Sequence, residues 1–156
     1  MLRLSRKAIL ALEAVVDIAC NSRPEPVQSK EITRRQGVPH RYLEQVMQAL
    51  VRAGVLKGVR GPRGGYRLAK ERRRITAGEI VRIVAELEAA DEPPLNGSSP
   101  IGERVVRPMV EDIHGGLMRQ LDEISVEDLC RRAEERGLAE PIGERAAGRV
   151  DGDKKR

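Results

Sequence analysis

The chain has 156 residues, with 29 Lys/Arg against 24 Asp/Glu, two tyrosines and neither phenylalanine nor tryptophan. A chain of this length forms one domain, or a small domain with an appendage, around a core that here must be aliphatic. No stretch approaches the ~20 apolar residues that a membrane-spanning helix needs. The first residues also lack the order of a secretory signal, so we expect a cytoplasmic protein.

The positive charge is concentrated in the first half of the chain. Residues 1–80 hold 17 Lys/Arg against 7 Asp/Glu, a net charge of +10, whereas residues 81–156 hold 12 against 17, a net charge of −5. This asymmetry predicts that the first half meets a polyanion. A membrane surface is the less favoured polyanion, because the chain has no long basic amphipathic helix with aromatic anchors. DNA is therefore the expected partner.

A helix over residues 5–21 is predicted to be apolar on most sides, so it must be buried in its own domain or against a partner subunit. Ser5, Arg6 and Lys7 at its start are candidate phosphate contacts, because helix N-termini attract anions. A solvated helix end explains these three residues equally well. A short helix from Ser29 to Gln36 should follow.

The next helix, at about residues 39–53, carries apolar residues spaced by three and four along one side and long polar residues along the other. The apolar side consists of Leu43, Val46, Met47, Leu50 and Val51. Gly37 allows the turn before this helix and Gly54 ends it. A supporting helix, a glycine turn and a second helix form a helix-turn-helix, whose second helix enters the major groove.

Two short β-prone runs around a glycine-rich basic turn predict a β-hairpin wing at about residues 59–67. Arginines on a loop with little side-chain bulk suit a narrow minor groove. The alternative is an ordinary amphipathic helix and a surface hairpin whose charges are only solvated. The candidate DNA-contacting residues are Ser5, Arg6, Lys7, Ser29, His40, Arg41, Tyr42, Glu44, Gln45, Gln48, Arg60, Gly61, Arg63, Gly64 and Gly65.

The second half predicts further helices separated by a loop. Residues 70–74 form a basic run that a solvated loop explains, and Thr76 with Glu79 forms a capping box for the next helix. Residues 88–102 are acidic and rich in Pro, Gly and Ser, which indicates a flexible loop. Residues 103–124 carry apolar residues spaced by three and four, which suits helix pairing, and Pro108 fits only a first turn.

The expected fold is mainly α with a small β-hairpin wing, arranged as a winged helix-turn-helix head plus a long dimerisation helix. The expected divisions are a DNA-binding domain at 1–87, the flexible loop at 88–102, dimerisation helices at 103–136 and a disordered tail at 137–156. Within the dimerisation region, Ser125 should begin a last helix with Leu129, Cys130 and Ala133 facing inward.

Neither a catalytic site nor a metal site is expected. Residues 58–65 lack the Lys-Ser/Thr ending of a phosphate-binding loop, and the only two histidines, His40 and His114, have no metal or triad spacing. Cys20 and Cys130 lie far apart in sequence and form no disulfide framework or ligand spacing. Redox sensing by Cys20 is an alternative, although a buried apolar cysteine is usually inert. A protein-binding module with a winged fold is the other rival.

The runs Tyr42-Leu43-Glu44-Gln45 and Gly64-Gly65-Tyr66-Arg67-Leu68 resemble the Rrf2 family of bacterial regulators, which includes IscR-like and NsrR-like iron–sulfur regulators. The resemblance extends from Leu2 to about Arg136. It implies a homodimer of winged heads that binds a palindromic operator, as a repressor. By position, Glu44 resembles the family's base-reading glutamate and Arg60 the wing arginine of the minor groove. Ser5, Arg41 and Tyr42 resemble positions near the DNA backbone.

One departure from the family concerns its cofactor. The cluster-binding members carry three cysteines in the loop before the long helix, and residues 88–108 contain none. An iron–sulfur cluster needs about three or four ligands, usually thiolates. We therefore expect no iron–sulfur cluster and no other cofactor. The regulatory signal is left open between a small ligand, a partner protein, cysteine oxidation and none.

Overall fold

In the computed structural model, which describes residues 3–22, 25–92 and 99–140, most residues are helical and two strands form one antiparallel hairpin. The fold class predicted from the sequence is confirmed. The elements in chain order are α1 (Arg6–Asn21), α2 (Ser29–Gln36), α3 (His40–Arg52), β1 (Leu56–Val59), β2 (Gly65–Leu68), α4 (Ala77–Ala89), α5 (Arg107–Asp122) and α6 (Val126–Glu135).

Hydroxyl side chains begin three of the helices. Ser5 accepts a hydrogen bond from the Ala8 amide at 3.0 Å, and Thr76 accepts one from the Glu79 amide at 3.1 Å. Ser125 forms a full capping box with Asp128 at the start of α6. In the predicted capping box, the Glu79 carboxylate would accept a hydrogen bond from the Thr76 amide. It accepts one from Lys70 Nζ instead, at 2.6 Å.

Glycines in the left-handed conformation end α2 and α3, as predicted. Gly37 has φ 66° and Gly54 has φ 76°, values that an L side chain rarely adopts. The turn at Gly37 is closed by a hydrogen bond of 3.2 Å from the Val38 amide to the Thr33 carbonyl. The two helices of the helix-turn-helix are therefore joined by a short and well-defined turn.

The aliphatic core is assembled around α1, which packs against α3, α4, α6 and β2. Its buried side chains meet those of the neighbouring helices, and Ile18, Leu43, Leu50 and Ile80 are completely enclosed. Burial of α1 is thus confirmed, and this single chain supplies most of it. Only Ile9 among the large apolar residues of α1 is exposed.

The turn before α4 and the turn between α5 and α6 are bonded to each other. The Ala77 amide donates to the Ile124 carbonyl at 2.8 Å, and the Val126 amide donates to the Ile75 carbonyl at 2.8 Å. Nearby, Arg82 makes two hydrogen bonds to Asp122, at 2.7 and 2.5 Å, and this pairing lowers the pKa of the Asp122 carboxyl. The C-terminal end of α5 is therefore held against the start of α4.

Two sequence-based boundaries need correction. The loop predicted for residues 88–102 is shorter, because α4 continues to Ala89; residues 93–98 lie outside the described residues. A π-helical turn, Gly102–Val106, leads directly into α5. Pro108 does lie in the first turn of α5, but helical backbone precedes it. The wider π-helical turn accommodates a residue that has no amide hydrogen to donate.

The basic run at residues 70–74 is not simply a solvated loop, as the sequence suggested. Residues Arg72–Arg74 form a single 3-10 turn, and the Arg72 side chain is only 14% exposed. Its Nε lies 3.7 Å from a carboxylate oxygen of Glu127 on α6. Arg72 therefore packs between the head and α6, a placement that local sequence does not reveal. Of the predicted disordered tail, residues 141–156 lie outside the described part of the chain.

Candidate nucleic-acid interface

The two sides of α3 have opposite environments. Its apolar side is buried in the core through Leu43, Val46, Met47, Ala49 and Leu50. The other side is exposed and carries the polar residues predicted to read DNA, namely His40, Arg41, Tyr42, Glu44, Gln45 and Gln48. Because the apolar side is already covered within this chain, the polar side is available to another molecule.

A side-chain contact joins the start of α2 to the start of α3. Ser29 Oγ and His40 Nε2 are 2.9 Å apart, within hydrogen-bonding distance. Both are candidate DNA-contacting residues, and the structure brings them together from two different helices. This contact positions the first turn of α3 relative to the N-terminus of α2, where unpaired backbone amides favour an anion.

The wing is an antiparallel hairpin with Val59 opposite Gly65 and Gly58 opposite Tyr66. A third segment extends it, because Val27 and Tyr66 exchange backbone hydrogen bonds of 3.0 and 2.8 Å. Local sequence does not predict this bridge. It attaches the wing to the loop before α2.

Close backbone packing explains two of the wing glycines. A β-carbon at Gly64 would collide with the Val59 carbonyl oxygen, and one at Gly65 would collide with the Val27 carbonyl oxygen. These glycines therefore have a structural role in addition to the low bulk that the sequence indicated. Gly61, with φ 112°, forms the turn at the tip.

The wing also touches α3. A small cavity of about 70 Å³ lies between Ser29, His40, Glu44 and Tyr66. Burial raises the pKa of the Tyr66 phenol, and the negative charge of Glu44 raises it further. Glu44 is thus close to the wing as well as exposed on α3, so helix and wing present one continuous surface.

An open groove of about 520 Å³ runs between the start of α2 and the wing. It is lined in part by the candidate residues Ser29, Arg60 and Gly61. Gln28 and Lys30 line it too, and the sequence analysis missed both. Their position on either side of Ser29, at the N-terminus of α2, is the sequence signal that could have identified them.

The remaining candidates differ in their surroundings. Arg60 and Arg63 are exposed at the wing tip, and Arg63 lies 3.9 Å from Glu25, an exposed pairing that contributes little. Ser5 caps α1, and Arg6 and Lys7 lie in its first turn, on a different element from α3 and the wing. Contact of any of the candidate residues with DNA stays a prediction.

The two cysteines are closer than their sequence positions indicate. Cys20 Sγ on α1 and Cys130 Sγ on α6 are 3.3 Å apart. The packing of α6 against α1 brings together residues that lie 110 positions apart, a contact that their sequence separation does not reveal. Within the described residues, no group of three or more His, Cys, Asp or Glu side chains could hold a metal ion. No described helix is long and apolar enough to cross a membrane.

Residues 4–132 match the family model of Rrf2, described as an iron-dependent transcriptional regulator. The chain belongs to the Rrf2 family. It is 33% identical over 134 residues to the HTH-type transcriptional regulator IscR of Escherichia coli O1:K1, covering 85% of this chain and 83% of that protein. The Rrf2 assignment makes it a helix-turn-helix transcriptional regulator of a DNA-binding, non-enzymatic family.

Solved structures of Rrf2-type regulators share the fold. IscR of T. potens superposes with a TM-score of 0.69 at 33% identity, covering 92% of this chain and 96% of that one. CymR, the global cysteine regulator of B. subtilis, superposes with a TM-score of 0.64 at 29% identity, covering 85% and 98%. The winged helix-turn-helix predicted from the sequence is therefore confirmed.

Proposed function

We propose that this Rrf2-family regulator binds a roughly palindromic operator as a homodimer, with α3 in the major groove and the wing in the minor groove. The observation that carries the proposal is the surface formed by α3 and the wing. There, exposed polar side chains stand beside a glycine-rich tip, and a buried apolar face holds them in place.

Base reading is assigned to the exposed side of α3. Glu44 can accept a hydrogen bond from cytosine N4, and Gln45 or Gln48 can pair with adenine. The carboxylate of Glu44 also repels phosphate, so this side chain favours a specific base contact over general backbone binding. His40, Arg41 and Tyr42 lie at the start of α3, from which backbone phosphates are reached.

The wing is assigned to the minor groove through Arg60, with Arg63 and the backbone of Gly61, Gly64 and Gly65 beside it. A guanidinium favours the narrow, electronegative minor groove of A·T-rich DNA. The bridge between Val27 and Tyr66 supports this role, because it holds the hairpin against the body of the head.

Dimerisation is assigned to the exposed apolar face that the π-helical turn Gly102–Val106 and the first half of α5 form together. Val105, Met109 and Ile113 are 63%, 54% and 48% exposed, and Val106 and Val110 are exposed beside them. Residues four apart lie on one side of a helix, so these side chains form a continuous apolar strip. Such strips on soluble domains usually mark an interface. A twofold axis would pair the strip with itself and place two heads on a palindrome.

Repression would follow from operator occupancy, which excludes the transcription machinery, and the activity would lie in the cytoplasm with the chromosome. We propose that no iron–sulfur cluster takes part, because the donor set does not fit one. The chain has only two cysteines, on α1 and α6, and none in residues 88–108. The signal stays open between a small ligand, a partner protein, cysteine oxidation and none.

The test is a titration of the full chain against duplexes at several salt concentrations. We expect binding to a random duplex to weaken steeply with salt, because phosphate contacts release counterions. A genomic site isolated by its binding should be held by two copies of the chain. Arg60→Ala should weaken sites with A·T-rich flanks most. A protein that acts only through a partner would bind neither duplex, and the proposal would then be wrong.

A further inference from the structure

A pair of thiols lies at the contact between α1 and α6. Cys20 lies near the C-terminal end of α1, and its Sγ is 3.3 Å from that of Cys130 on α6, close enough for an S–H···S hydrogen bond. Neither cysteine is in a disulfide in this structure. The proposed binding of DNA uses neither residue, so the pair needs its own explanation.

The two sulfurs differ in access. Cys130 is completely buried, whereas Cys20 is half-buried and lines an open groove of about 590 Å³ between α1 and α6. Apolar side chains such as Val16 and Leu129 line this groove together with Arg132. A small molecule entering the groove would therefore meet Cys20 first and Cys130 behind it.

The surroundings favour one negative charge on the pair. The hydrogen bond from Cys20 lowers the pKa of the Cys130 thiol, and the guanidinium of Arg72 lowers it further. The same hydrogen bond, with burial, raises the pKa of Cys20. These directions place the first negative charge of the pair on Cys130 and keep the remaining proton on Cys20, between the two sulfurs. Transfer of that proton to Cys130 places the charge on Cys20, at the groove.

We propose that Cys20 and Cys130 are a redox modification site, at which a hydroperoxide forms a reversible disulfide within one chain. This inference goes beyond the proposed function and does not depend on it. A lone buried cysteine is inert, but a thiol next to a resolving thiol has a rapid route to a stable oxidised product.

The reaction has two steps. The Cys20 thiolate attacks one oxygen of the hydroperoxide, the O–O bond breaks, and the departing hydroxide or alkoxide takes up a proton. Cys20 then carries a sulfenic acid. The Cys130 sulfur attacks that sulfur, the S–O bond breaks, and the oxygen leaves as water with the proton from Cys130. Two thiols have lost two electrons, the hydroperoxide has gained them, and a dithiol reductant reverses the change.

The bond would join two parts of the molecule that are otherwise held by packing. It would tie α1, which forms the centre of the core, to α6, which follows the proposed dimerisation helix. The covalent link would close a segment of 110 positions. Because a cross-link over so long a segment restricts the unfolded chain strongly, the Tm should rise on the order of 10 °C on oxidation.

The test is oxidation of the reduced full-length chain with hydrogen peroxide. We expect both thiols to be lost to alkylation together and the intact mass to fall by two hydrogen atoms. The Tm should rise, and dithiothreitol should reverse all three changes. In Cys130→Ser the Cys20 sulfenic acid has no resolving thiol, so peroxide should add one oxygen at Cys20 instead of removing two hydrogen atoms. In Cys20→Ser the buried Cys130 thiol should survive the same peroxide. If Cys130→Ser fails to fold, the survival of Cys130 in Cys20→Ser tests whether Cys20 is the site of attack, because position 20 is only half-buried.

A matched pair of arginine variants separates a built site from accidental proximity. Arg72→Gln should slow disulfide formation several-fold, whereas Arg82→Gln, which removes an arginine paired elsewhere with Asp122, should not. The proposal is wrong if both thiols survive peroxide that oxidises a reference thiol peptide, or if the disulfide forms only between chains. None of these measurements involves DNA, so their failure would leave the proposed function standing.

Discussion

Helices α3 and α5 are both amphipathic, yet the chain treats them in opposite ways. In α3 the apolar side is buried by this chain's own core, through five side chains that include Leu43 and Leu50. In α5 only Met118 is buried, and Met109, Val110 and Ile113 stand in solvent. The same spacing of apolar residues therefore produces a fully packed apolar side in α3 and, in α5, an apolar side that is uncovered in the N-terminal half of the helix.

The difference shows which side of each helix is available for binding. Because the apolar side of α3 is buried in the core, its polar side is the one available for binding. Polar side chains of this kind suit DNA. The polar side of α5 needs no partner, whereas its apolar strip does, since burying that strip removes it from water. Under the proposed function, α3 would present polar groups to a nucleic acid, and α5 would present apolar groups to a second copy of the chain.

The largest expected effect is on the strip of α5. Ile113→Glu places a charge in the proposed dimer interface, where an unpaired charge costs several kcal/mol. The dimer dissociation constant should rise by roughly 100-fold or more, since about 1.4 kcal/mol corresponds to each factor of ten. Sedimentation or light scattering over a concentration series measures this. Leu138→Glu, at an exposed leucine outside α5, is the control and should leave the dimer intact. An unchanged dimer in Ile113→Glu would assign the strip another role.

The next effect compares the two apolar sides directly, in the monomeric Ile113→Glu background. Leu43→Ala leaves a cavity in the core and should lower the free energy of unfolding by about 2–5 kcal/mol. Met109→Ala should change it by no more than about 0.5 kcal/mol, because that side chain is largely exposed in its own chain. Urea titrations measure both values. Equal losses would mean that α5 is packed within the chain after all.

A smaller effect is expected on the polar side of α3. Glu44→Ala should lose about 1–3 kcal/mol of preference for the true site over a mismatched one. Binding to random DNA should hold or tighten, since a negative charge has gone. Glu86→Ala, an exposed carboxylate on α4, controls for net charge. Competition titrations measure the preference. If Glu44→Ala weakened both duplexes equally, Glu44 would act by holding Tyr66 and the wing rather than by reading a base.

The smallest effect concerns the start of α1, a different element from α3 and the wing. If Arg6 and Lys7 meet only phosphates, removing either one should weaken all sequences alike. It should also reduce the slope of log affinity against log salt by about one. Arg131→Ala on α6 removes the same charge away from the proposed interface and should leave the slope unchanged. A changed sequence preference in Arg6→Ala would instead place that residue at the bases.

The local sequence pattern was enough to predict the helix-turn-helix and the wing. The bounds of α2, the polar and apolar sides of α3 and the hairpin were all predicted, because each depends on neighbouring residues: caps, glycines and a period of three to four. The predicted loop at 88–102 was less accurate, since its composition is that of a loop while α4 extends to Ala89. Helix ends depend on packing as well as on composition.

The sequence by itself determined the elements of this protein, its basic head and its family, because these follow from periodicity, turn residues and motifs along a continuous stretch. Only the tertiary structure decided which distant residues meet. It placed Val27 beside Tyr66, Arg72 beside Glu127, and Cys20 3.3 Å from Cys130. The physical reason is that such contacts arise from how buried helices pack around α1. Packing depends on the shape of the whole core, which no single stretch of sequence contains.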